Sequence, residues 1–182
     1  PPFMILIDRV PTPQDLLPAI DFMFTLSADK IRSIEETWAA AEGAPVFTVD
    51  GRYTARGWTE WTQGFQFGSA LLQFDATGDQ EYLELGRART LERMPPHLSA
   101  TGVHDHGFNN VSTYGNLRRL ALEGRIPADS WEFAFYQMAL EASGAVQAHR
   151  WTQLSPTEGY VYSFNGPHSL FADTIRSLRS LA

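Results

Sequence analysis

The sequence predicts an all-α fold built from helical hairpins, and three observations predict it. Helix stop and start signals recur along the chain, the apolar spacing between them is mostly helical, and successive helices alternate between half-buried and more fully apolar. With 182 residues, 43% hydrophobic and 13% aromatic, the chain has the apolar content of one domain with a packed core.

The first helix opens at Thr12, Pro13 and Asp15, an N-cap, first-turn proline and first-turn acid, and is expected to run to about Gly43. Val46 to Arg56 holds the only plausible strand pair, turning at Asp50-Gly51. Gly64 to Thr77 is apolar almost all round through Phe65, Phe67, Ala70, Leu71, Leu72 and Phe74, which predicts an inner helix. Thr77-Gly78-Asp79 then places a C-terminal glycine beside a new N-cap, so a helix over Gln80 to Met94 returns antiparallel.

Past a loop from Pro95 to His104, a second inner helix is expected from Gly107 to Leu122, with Gly124, Pro127 and Asp129 marking the next stop and start. Glu132, three residues after Asp129, completes a capping box. Trp131, Phe135, Met138, Ala142 and Ala145 recur at helical spacing and predict the buried stripe of a half-buried helix. Gly166-Pro167 opens a last helix whose apolar set is Leu170, Phe171, Ile175, Leu178 and Leu181. Six helices fed by loops from one side form three hairpins of a helical toroid. Three cannot close a ring, so open apolar sides are expected to need a partner or a second half, and the lack of a stop signal at Ala182 suggests a cut chain.

Composition narrows the function. There are 21 acidic against 14 basic residues, a net charge of -7, and Lys and Arg form no stripe, which argues against nucleic acid. The chain has no cysteine, so disulfides, thiolate ligands and cysteine nucleophiles are excluded. No apolar run reaches the length of a membrane span. No signal peptide is visible, which carries no weight because the first residue is Pro1.

Two acids stand where a loop feeds a helix. Asp105 lies in His104-Asp105-His106-Gly107-Phe108, where a carboxylate either caps the following helix or projects into a pocket, roles that do not exclude each other. His104 and His106 have the spacing of a possible two-ligand metal site, but no third ligand is indicated, and no metal or other cofactor is expected. Asp173 falls among Leu170, Phe171 and Ile175, where desolvation would raise its pKa and suit it to proton donation; the competing reading is an ion pair with Arg176, His168 or Arg179. Trp58, Trp61, Phe65, Phe67 and Gln63 crowd one junction, and Tyr160, Tyr162, Phe164 and Asn165 another. Aromatic faces beside amides and acids suit a sugar ring.

These residues resemble a family pattern. Trp61 to Gly68 resembles the W-x-x-G-F-x-x-G segment of the unsaturated glucuronyl hydrolases, glycoside hydrolase family 88, and Thr77-Gly78-Asp79 with Tyr82 resembles its T-G-D-x-x-Y turn. His104 to Phe108 resembles H-D-x-G-F, and Asp173 to Leu178 resembles the helix carrying the second acid. The motifs occur in the family's order from Trp58 onward and match the N-terminal half of its domain. Unsaturated rhamnogalacturonyl hydrolases, also six-hairpin enzymes, share parts of the pattern.

The resemblance implies an (α/α)6 toroid with three of six hairpins present, residues 1–182 forming the first half of one domain, and a bacterial cytoplasmic or periplasmic setting. It implies hydration of the enol ether of a 4,5-unsaturated uronate at the non-reducing end of lyase-generated oligosaccharides. By position, Asp173 would be the general acid/base and Asp105 would hold ring hydroxyls, with Trp61 stacking on the sugar. His104, Trp58, Gln63, Asn165 and His168 complete the expected substrate site, and neither nucleic acid nor membrane is an expected partner. His106 in an aliphatic position, Phe67 in place of proline, and Leu122-Glu123-Gly124 in place of a second T-G-D are departures that leave the exact substrate open. Another six-hairpin sugar enzyme, such as an epimerase or ordinary glycosidase, and a non-catalytic glycan- or protein-binding helical module are the alternatives.

Overall fold

Local capping chemistry sets the helix starts. In a computed structural model describing residues 10–38, 43–57 and 60–181, helix α1 (Pro13–Thr37) begins as the sequence predicts. Thr12 and Asp15 form the reciprocal capping box, with Thr12 N donating to the Asp15 carboxylate over 2.9 Å. The helix stops before Gly43, because Trp38 is extended and its indole N–H donates to the Gly43 carbonyl over 2.7 Å. Strands β1 (Phe47–Val49) and β2 (Arg52–Thr54) pair antiparallel around Asp50-Gly51, both with positive φ, as a two-residue hairpin requires.

Helix α2 (Gln63–Thr77) ends at left-handed Gly78, and Asp79 caps α3 (Gln80–Arg93) by accepting from Glu81 N at 3.1 Å. The α2–α3 hairpin carries the apolar centre: Leu71, Phe74, Tyr82 and Leu83 are buried against Met94, Leu117, Leu120 and Tyr136. Phe65 and Leu72, expected inside, are exposed at 39% and 48%. A short turn, α4 (Pro95–Leu98), leads to the loop before His104.

The second inner helix departs from expectation. Residues Gly107–Gly115 are π-helical, and only α5 (Asn116–Leu122) is α. Thr113 Oγ1 donates to the Asn109 carbonyl at 2.7 Å and Asn116 Nδ2 to the Ser112 carbonyl at 2.8 Å, so side chains compete for the carbonyls that tighter turns would use. Glycines bring α2 against this segment. A Cβ on Gly64 would lie 2.1 Å from the Phe108 carbonyl oxygen, and one on Gly68 2.6 Å from that of Ser112.

Helix α6 (Ser130–His149) has the predicted Asp129–Glu132 capping box, but its inward face is not the predicted stripe. Trp131 is 71% exposed and Met138 58%, and Ala142 and Ala145 also face solvent. Tyr136, Ala139, Ser143, Gly144 and Gln147 point inward instead. Polar and close-packing demands set this rotation: Ser143 meets His106, and a Cβ on Gly144 would lie 2.1 Å from the Ser180 carbonyl oxygen.

A second hairpin, absent from the sequence expectation, pairs β3 (Trp151–Gln153) with β4 (Gly159–Val161). The Trp151 ring lies where a side chain on residue 159 would be, so glycine permits the pairing.

The last helix also starts later than Gly166-Pro167 and is a 3-10 helix, Ala172–Leu181. Ser163 N donates to Ser169 O at 2.8 Å, and the Pro167 carbonyl accepts from Thr152 and Tyr160 hydroxyls, which holds residues 163–169 in a turn. Thr174 and Ser177 are its buried residues, whereas Leu170, Phe171, Ile175, Leu178 and Leu181 are all exposed. Apart from Phe171, whose ring also packs on Phe164, the predicted apolar set therefore faces outward. Among the described residues the chain is predominantly helical with two short hairpins, and no helix is long and apolar enough to cross a membrane.

Candidate active site

Close backbone contact builds the site. Gly107, at the start of the π-helical segment, lies under the 3-10 helix, where a Cβ would sit 2.3 Å from the Arg176 carbonyl oxygen. Ser177 ties the two together: its hydroxyl donates to the His104 carbonyl and accepts from Gly107 N at 3.0 Å. This contact brings two acids 68 residues apart in sequence to one imidazole. His104 Nε2 lies 3.1 Å from Asp173 Oδ1 and 3.8 Å from Asp105 Oδ1.

His104 is only 1% exposed, with its ring stacked on Phe164 at 6.2 Å and met edge-on by Phe171 at 5.9 Å. The facing carboxylates place its ring proton on Nε2, and among the described residues the buried Nδ1 has no hydrogen-bond partner. Asp105 is buried, and no side chain caps the start of the π-helical segment, so the capping role expected as one alternative is not the one it takes. Burial pushes the Asp105 carboxyl above the usual carboxylate range; His104 and Arg150 oppose this and the Asp173 charge adds to it.

Asp173 does not have the desolvating setting expected from its apolar neighbours in sequence. Leu170 and Ile175 face outward, Phe171 turns to the His104 and Phe164 rings, and the Asp173 side chain is 48% exposed at the edge of the cluster. It bonds to His104 rather than to Arg176, Arg179 or His168. Arg176 instead reaches Ser112 Oγ at 2.8 Å and lies over the rings of Phe65 and Phe108 at 5.2 and 5.7 Å.

The other expected residues divide. Trp61 is half-buried and packs edge-on against Phe65 and Phe108, at 6.2 and 5.8 Å, in an aromatic group continuous with Phe108 of the His-Asp motif. Gln63 is turned to a different network, with its Oε1 2.8 Å from His97 Nε2. Asn165 and His168 are exposed in the turn before the 3-10 helix and take no part in the hydrogen bonds around Asp105 and Asp173. Trp58 lies outside the described residues.

His106 is structural. Its Nδ1 is 2.8 Å from Ser143 Oγ and its Nε2 2.8 Å from the Ala100 carbonyl, so it shares no ligand position with His104. It belongs to a buried polar seam in which Asn110 Nδ2 donates to Ser143 Oγ at 3.1 Å and to the His97 carbonyl at 3.1 Å. Asn109 bridges His97 Nδ1 at 3.0 Å and Gly64 N at 2.9 Å. Desolvation holds both His97 and His106 below the ordinary imidazole value.

Sequence reasoning missed Arg150, 2% exposed at the end of α6. It donates to the carbonyls of Thr101, Tyr162 and Ser163, which joins the loop before His104 to the turn after β4. Its charge also opposes the rise of Asp105, while burial draws its own pKa down. A capping arginine past a helix end leaves no periodic signal; only its place just before the aromatic run at Tyr160 to Phe164 could have suggested it.

The cluster joins one imidazole to two unlike carboxylates beside an aromatic wall, Asp173 hydrogen-bonded to His104 Nε2 and Asp105 3.8 Å from the same nitrogen. No family model matches the chain, and no curated protein or solved structure matches it significantly.

Proposed function

We propose that the chain is a glycoside hydrolase domain of the unsaturated glucuronyl hydrolase type, part of an (α/α)6 toroid, acting on 4,5-unsaturated uronates at the non-reducing end of oligosaccharides. One observation carries the proposal: the two acids of the family-like motifs, 68 residues apart, converge on His104. In this reading Asp173, the more accessible acid, gives a proton to C4 of the enol ether, and the positive charge that develops at C5 is met by water. Asp173 recovers a proton from that water. The C5 hemiketal opens to a ketone, and C1, now a hemiacetal, releases the remaining sugar. A vinyl ether needs only protonation and water, so no protein nucleophile or cofactor enters.

Asp105 then binds ring hydroxyls and holds the field around Asp173, His104 orients Asp173, and Trp61 offers an aromatic face to the ring. Turnover of lyase-generated unsaturated disaccharides tests the reading: the double-bond absorbance should disappear with the parent chain and persist with Asp173→Asn. Full activity of Asp173→Asn would overturn the roles.

The hydrogen bond from His104 to Asp173 favours one alternative, another sugar enzyme whose histidine carries the proton. Such an enzyme would turn over saturated sugars and lose activity with His104→Gln as completely as with Asp173→Asn.

A further inference from the structure

The order of the close contacts makes the three inner segments run the same way. Gly64 meets Phe108 and Gly68 meets Ser112, and in the same sense His104 meets Asp173 and Gly107 meets Arg176. The starts of α2, the π-helical segment and the 3-10 helix therefore share one end, where Trp61, Asp105 and Asp173 stand. Just past those starts lie Phe65, Phe108 and Arg176.

Arg176 follows Asp173 by three residues, one full turn of a 3-10 helix, so the two share one flank beside the buried Thr174 and Ser177. Its guanidinium lies over the rings of Phe65 and Phe108, the same rings that Trp61 meets edge-on, and donates to Ser112 Oγ at 2.8 Å. Rings hold a guanidinium in place without engaging its donors, and one neutral hydroxyl leaves most of its five N–H groups free. Among the described residues no carboxylate pairs with Arg176, which is exposed and lines a groove of about 910 Å³.

The other cations around the inner segments are engaged or more distant. Arg150 is buried and donates to three carbonyls, Arg119 pairs with Asp75 and Glu123, and Arg118 donates to Gln137. Arg179 lies a further turn along the helix from Asp173.

A 4,5-unsaturated uronate carries its carboxylate on C5, the carbon next to the C4 that Asp173 would protonate. A side chain that reads this carboxylate has to reach the space beside Asp173 and the ring of Trp61. One 3-10 turn advances about 6 Å along the axis, which an arginine side chain spans.

We propose that Arg176 receives the carboxylate of the uronate, two of its N–H groups facing the two carboxylate oxygens. The proposal rests on the unsaturated-uronate reading and adds the residue that selects an acid over a neutral sugar. The contact is present before and during protonation alike, so it acts on binding and not on the chemical step.

Titration calorimetry with an unsaturated uronyl disaccharide and with its methyl ester tests it, in the Asp173→Asn background, which is expected to consume neither. Circular dichroism checks that each variant folds. The Asp173→Asn chain should bind the acid at least roughly tenfold more tightly than the ester. Adding Arg176→Gln should remove that difference by weakening the acid alone, whereas Arg176→Lys should keep part of it, as a point charge without paired donors. In turnover with Asp173 intact, Arg176→Gln should raise KM for the acid by at least roughly tenfold and leave kcat near the parent value. Equal affinity of Asp173→Asn for acid and ester, or an acid preference that survives Arg176→Gln, would overturn the proposal. A parent that leaves the double bond intact, while the acid preference is present and disappears with Arg176→Gln, would overturn the hydrolase reading and keep Arg176 as the carboxylate site.

Discussion

The two buried regions of the molecule are built on opposite principles. Around Leu71, Phe74, Tyr82, Leu117, Leu120 and Tyr136 the helices meet through apolar side chains. Around the π-helical segment they meet through glycine, serine, asparagine and histidine, with backbones close enough that a Cβ added at Gly64, Gly68, Gly107 or Gly144 would collide. Apolar burial is non-directional and tolerates relaxation, whereas a buried polar seam fixes side chains by direction and costs free energy wherever a partner is missing. The fold thus places its adaptable packing in the α2–α3 hairpin and its positional precision where Asp105 and Asp173 converge.

That contrast can be broken from either side. Leu71→Ala, in the apolar region, should cost roughly 2–5 kcal/mol in denaturant unfolding while leaving turnover per folded molecule near the parent value. Gly107→Ala should cost somewhat less stability, about 1–3 kcal/mol from overpacking, yet abolish activity, because the 3-10 helix carrying Asp173 must shift away. Equal activity losses in the two variants would erase the distinction.

Acid sharpens the comparison next. His97 and His106 have depressed folded-state values, so the unfolded chain binds more protons; their contribution is present at neutral pH and lost as pH falls below about 6.5. A melting-temperature profile should decline over that range, and His106→Gln should flatten it. The smallest effect belongs to Asp105. Its folded value is raised, so its stabilising contribution is full below about 3.9 and is lost as pH rises through the higher folded value. Asp105→Asn should slightly raise the melting temperature at pH 7, with the gain vanishing near pH 4, and should lower activity. A lower melting temperature at pH 7 would contradict the assigned desolvation.

What the sequence disclosed follows the same division. Thr12 with Asp15, Gly78 with Asp79, Asp129 with Glu132 and Asp50-Gly51 act within a few residues, so caps, turns and one hairpin were legible. The rotation of α6 was not, because Ser143 and Gly144 face inward for partners at His106 and Ser180 that no local spacing reveals. The outward turn of Ile175 and Leu178 has the same origin, since Thr174 and Ser177 are the residues small enough for the inner face. At the site, Asp105, His104 and Asp173 were legible as motif residues, while Arg150, Phe171 and the unequal burial of the two acids depend on contacts across the fold.

The central claim is that this cluster protonates an enol ether and adds water. Incubation with an unsaturated uronyl disaccharide in deuterated water, read by proton and carbon resonance, tests it most directly. The account predicts one deuterium at C4 of the released keto sugar with the parent chain and none with Asp173→Asn. An unsaturated disaccharide that remains intact, or a cleaved product whose double bond survives, would contradict it.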